Sequence, residues 1–65
     1  MIQRYELEKD KKKIIALIDI NRDEKAKLQL YDNRGVETVM MFDTALCANE
    51  YIREKYKIIS SKIIK

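Results

Sequence analysis

Apolar and polar residues alternate most cleanly between Lys25 and Asp32, where Ala26, Leu28 and Leu30 are separated by Lys27, Gln29 and Tyr31. A period of two puts the apolar set on one face of a β-strand. The tetrapeptide "DNRG", Asp32 to Gly35, follows and holds the only glycine of the chain. Asp opening a type I turn and Gly closing it in the left-handed region predict a hairpin with a three-residue loop and a bulge. Lys25 to Asp32 and Val36 to Phe42 are thereby expected to form an antiparallel pair. Upstream, "QRYELE" and "KIIALIDI" read as two further strands, over about residues 2–8 and 13–20. The charged run "KDKKK" and the Asn- and Asp-bearing "NRDE" separate these segments from one another and from the hairpin.

After Phe42 the period changes. Asp43 or Thr44 is placed to cap a helix, with Phe42 as a hydrophobic staple. Ala45, Ala48, Ile52, Tyr56, Ile59 and Ile63 then recur at spacings of three and four. This predicts a helix over about residues 44–57. The tail, residues 58–65, reads either as its continuation or as a short strand, since isoleucine and serine are mediocre helix formers. The expected architecture is one α+β domain, a four-stranded antiparallel meander followed by a C-terminal helix packed on one face (ββββα).

The stretch "IIALIDI" carries apolar residues on both faces, Ile14, Ala16, Ile18 and Ile20 on one, Ile15 and Leu17 on the other. The fourth strand does the same, with Val36, Met40 and Phe42 against Val39 and Met41. A helix over the first set leaves Ile15, Leu17, Tyr31, Val39 and Met41 on the far face as candidates for a protein interface, beside Lys27 and Gln29. Burying each of the four aliphatic residues is worth about 1.5 to 3 kcal/mol. A cover is therefore expected, from the tail, a second copy in a homodimer, or a host protein.

Size and composition narrow the chemistry. A chain of 65 residues is near the lower limit for an independent fold, and one cysteine with no histidine provides neither an internal disulfide nor a zinc site. Cys47 is expected to pack as a small hydrophobe. No metal or other cofactor is expected, and without histidine, convergent acids or a glycine-rich phosphate loop the reading is non-enzymatic. With 46% hydrophobic and 38% charged residues and a net charge of +3, the chain reads as globular. Charges precede any apolar run at the N-terminus and no apolar run reaches membrane length, so a cytoplasmic protein without membrane contact is expected.

The modest net charge is expected to be concentrated. In an up-and-down meander the helix runs back toward the first strand, bringing its C-terminal end to the first and third turns. Lys11, Lys12, Lys13 and Arg34 would then meet Arg53, Lys55 and Lys57, with Lys9, Lys62 and Lys65 as further members. Two readings of this end stand side by side: a surface for nucleic-acid phosphates, or a solvated turn beside cations favoured by the helix dipole.

The junction "MMFDTALCANEY" resembles that of the arm-type N-terminal domain of phage-type tyrosine integrases and of the plant ethylene-response-factor domain. The pattern F-x-T-x-x-x-A-x-x-[WY] is matched by Phe42, Thr44, Ala48 and Tyr51. The resemblance implies a sheet backed by a helix, with DNA read by basic and aromatic residues on the open sheet face. "RYEL", "FDT" and "REK" are more loosely similar to the WGR domain, whose Trp-Gly-Arg this chain lacks. The order of elements is similar to the single-strand-binding domain of transcriptional coactivators. In kind, a small chain without catalytic groups also resembles the inhibitors of phages and mobile elements, anti-CRISPR proteins among them. The expectation is a nucleic-acid-binding protein, with a protein-binding inhibitor or adaptor as the alternative.

Overall fold

A computed structural model describes residues 1–21, 23, 25–35 and 37–64. The elements are β1 (Ile2–Lys9), β2 (Lys12–Ile20), β3 (Ala26–Tyr31), β4 (Glu37–Phe42), α1 (Ala45–Lys55) and β5 (Lys57–Ile64). They form one five-stranded antiparallel sheet in the order β4-β3-β2-β1-β5, backed by the helix. This corrects the four-stranded expectation. The tail neither continues the helix nor covers the far face; it adds a fifth strand along the outer edge of β1.

The reason lies in unpaired backbone. Without β5, the outer edge of β1 would expose a row of N–H and C=O groups, and the β-branched tail pairs with it from Glu8↔Lys57 to Ile2↔Ile64. A bulge between Glu6 and Leu7 leaves Ile59 without a partner in β1. The helix accordingly stops at Lys55, two residues earlier than expected. Tyr56 turns extended (φ −137°, ψ 158°) while its amide still donates to the Ile52 carbonyl at 2.9 Å. Ile59 and Ile63, spaced as if to continue the helix, lie in the strand instead.

The helix starts where the capping chemistry puts it. Thr44 is the N-cap, extended at φ −141°, and its side-chain oxygen accepts from the Cys47 amide at 3.2 Å. With Thr44 as cap, Phe42 stands one place too early for a staple. Its ring packs on Tyr51 instead, at 5.6 Å between centroids. Cys47 is exposed, contrary to the packed position expected for it.

Cross-strand register lines up the core: Tyr5 faces Ala16, Ala16 faces Leu30, and Leu28 faces Met40. Leu7, Ala16, Ile18, Ala26, Leu28 and Leu30 are buried under Ala48 and Ile52 of the helix. Asn49 ties helix to sheet: it accepts from the Tyr5 hydroxyl and donates to the Ala45 carbonyl at 2.9 Å and Gln3 at 3.4 Å. No side-chain polar atom among the described residues is buried without a partner.

Candidate nucleic-acid interface

The hairpin between β1 and β2 turns on two residues, Asp10 and Lys11, with Lys9 and Lys12 as the closing pair. Their φ values of 54° and 66° are both left-handed, the signature of a turn whose twist matches that of the flanking strands. Asp tolerates this region; a lysine there is strained. The second turn is the expected one. Gly35 has φ 80° and donates to the Asp32 carbonyl at 3.1 Å, and the Asp32 carboxylate accepts from the Arg34 amide at 2.8 Å.

These two turns stand side by side. Lys9, Asp10, Lys12 and Ile14 from the first and Asp32, Asn33 and Arg34 from the second wall a cleft of about 270 Å³. The helix delivers Arg53 and Lys55 in its last turn to the same end of the molecule. Lys57 opens β5 opposite Glu8, and the Lys9 ammonium lies 5.6 Å from the centre of the Tyr56 ring. Burial pushes the Tyr56 hydroxyl above its ordinary pKa of 10.0, with Tyr51 adding to the effect.

Lys11, Lys12, Lys13, Arg34, Arg53, Lys55 and Lys57 are thus all exposed toward or flanking one end. Lys62 is not: it faces Arg4, well along β5 from that end. Lys65 lies outside the described residues. Glu8, Asp10, Asp32, Glu37 and Glu54 are interspersed among the cations. Between described residues the one ion pair is Arg4–Glu6 at 3.1 Å, on the far face of β1. There the Arg4 guanidinium, through its hydrogen bond, holds the Glu6 carboxyl below its ordinary range, so Glu6 is charged at neutral pH.

The far face does not join its apolar residues into one patch. Val39 meets Gln29 before Leu17, and Met41 meets Lys27 before Asp19, so the β3 column separates the β4 residues from those of β2. Ile15 and Leu17 are half-buried by their neighbours, whereas Val39 and Met41 are 48% and 62% exposed. No described element of the chain packs over this face. Tyr31 pairs with Ile15 and abuts the second turn, which sets an aromatic ring at the rim of the basic end.

The clustering of the two turns, Lys9 included, was readable from strand order; the contribution of Asn33 to a shared cleft was not, because it depends on turn length. No group of three or more His, Cys, Asp or Glu among the described residues is placed to hold a metal, and no described helix is long and apolar enough to cross a membrane. In comparisons with known proteins, no family model, curated protein or solved structure matches this chain.

Proposed function

We propose that this protein binds nucleic acid, gripping phosphates with the end of the sheet at which the β1–β2 and β3–β4 turns meet the C-terminus of the helix. The observation that carries the reading is the shared cleft, with Lys9 and Lys12 from one turn and Arg34 from the other. Among the described residues these cations make no ion pair, which leaves their charge available to a polyanion. Tyr31 at the rim offers one face for a base to stack on. One aromatic ring and a modest charge suit sequence-tolerant binding of single strands.

The test is binding of a fluorescent random oligonucleotide as salt is raised. Affinity should fall by about 0.7 to 0.9 in log K per unit log salt for each phosphate engaged. Replacing Lys12, Lys13 and Arg34 together by alanine should remove most of that binding and flatten the slope. Absence of binding at low salt, or an unchanged slope in the triple variant, rejects the reading.

A second reading rests on Val39 and Met41, the most exposed large apolar side chains of the β4 edge. They would serve a protein-binding inhibitor or adaptor that docks through the far face. Met41→Lys separates the two readings, since it should leave oligonucleotide binding intact and abolish protein capture.

A further inference from the structure

β5 is an edge strand paired on one side only, and every residue from Lys57 to Ile64 is exposed. Ile58, Ile59, Ile63 and Ile64 are 37%, 48%, 67% and 40% accessible. An eight-residue edge of this apolarity, without proline, is an open template for another strand.

We propose that β5 pairs antiparallel with β5 of a second copy, about a twofold axis through Ser61, joining two five-stranded sheets into one of ten strands. The twofold stands normal to the sheet, so both helices lie on the same side and like faces remain continuous.

The sequence "KIISSKII" is nearly self-complementary about this axis. Ser61 faces its own counterpart and Ser60 faces the other copy's Lys62. Ile63 then faces the Ile58–Ile59 pair, where the bulge supplies the extra residue. Isoleucine therefore meets isoleucine twice, once on each side of the axis.

Charge fixes the occupant and the register. Within one chain Lys62 stands directly opposite Arg4, an unfavourable like-charge pair, while Glu6 stands opposite Ser60. In the paired sheet the row on the far face runs Arg4, Lys62, then Ser60 and Glu6 of the second copy. Ser60 is too short to screen its neighbours, so each Lys62 ammonium reaches toward the Glu6 carboxylate of the other copy. The symmetry makes this contact twice. The edge offered by β4, with Glu37 its one charged residue, lacks such complementarity.

The measurement is solution mass by light scattering and sedimentation, from micromolar concentration upward, at low salt. The unaltered chain should approach twice its 7.8 kDa mass. Lys62→Glu should weaken the dimer by about tenfold or more, since it sets two carboxylates against each other across the interface. The variant places an acid beside Arg4, so loss of the dimer cannot be ascribed to a destabilised monomer. Combining Glu6→Lys with Lys62→Glu should restore association. A monomer throughout the range, a dimer indifferent to Lys62→Glu, or failure of the double exchange to restore it each overturns the proposal.

Discussion

Lys11 sits at φ 66°, where glycine is at ease and a residue with a Cβ is not. Lys11→Gly should raise stability by about 0.5 to 1 kcal/mol in denaturant unfolding, because relief of strain exceeds the added freedom of the unfolded chain. Phosphate affinity should fall at the same time, since a cation leaves the tip of the proposed interface. No change in stability would mean that the turn accommodates lysine without cost. Tyr56 supplies a second residue-level test. Its folded pKa is raised, so the neutral phenol favours the folded state; that stability is complete below pH 10 and is lost as pH climbs through the folded value. Tyr56→Phe should therefore lose less stability than the unaltered chain between neutral and strongly alkaline pH, as measured by paired thermal melts. Parallel curves for the two proteins would contradict the assignment.

At the scale of elements, the parts whose chemistry is local were legible in the sequence. Asp32 and Gly35 define a turn through short-range geometry alone, and Thr44 caps a helix whatever the helix packs on. The tail was not legible, because its conformation is decided by a partner about fifty to sixty residues away in sequence. Ile59 and Ile63 continue a helical spacing from Ile52 and Tyr56, and their β-branching points the other way; the unpaired edge of β1 settles the contest. Removing residues 57–64 should then reach well beyond the lost strand. It opens the β1 edge and strips Ile58 from beside the buried Leu7. A domain of this size holds only roughly 0.05 to 0.15 kcal/mol per residue. The truncated chain should show no cooperative melt by circular dichroism near room temperature, and a retained sharp transition would show that the first four strands and the helix suffice.

For the whole molecule, sequence pattern placed the two sheet faces correctly in outline but overestimated the far one. Period two identifies which side chains share a face; it does not reveal that Gln29 and Lys27 stand between the apolar columns, which requires the register. The same limit explains Lys62. Counting lysines near the C-terminus draws it toward the basic end, whereas its pairing with Arg4 fixes it elsewhere. The order β4-β3-β2-β1-β5 also bears on how the chain is made. Its first strand is an inner strand, and the neighbour that completes it is the last of the five strands to be synthesised. During translation, residues 2–9 therefore wait beside a bare backbone edge until residues 57–64 leave the ribosome. The nascent sheet is most open to wrong partners in that interval, and a chain lacking residues 57–64 should misassemble more readily than the full chain.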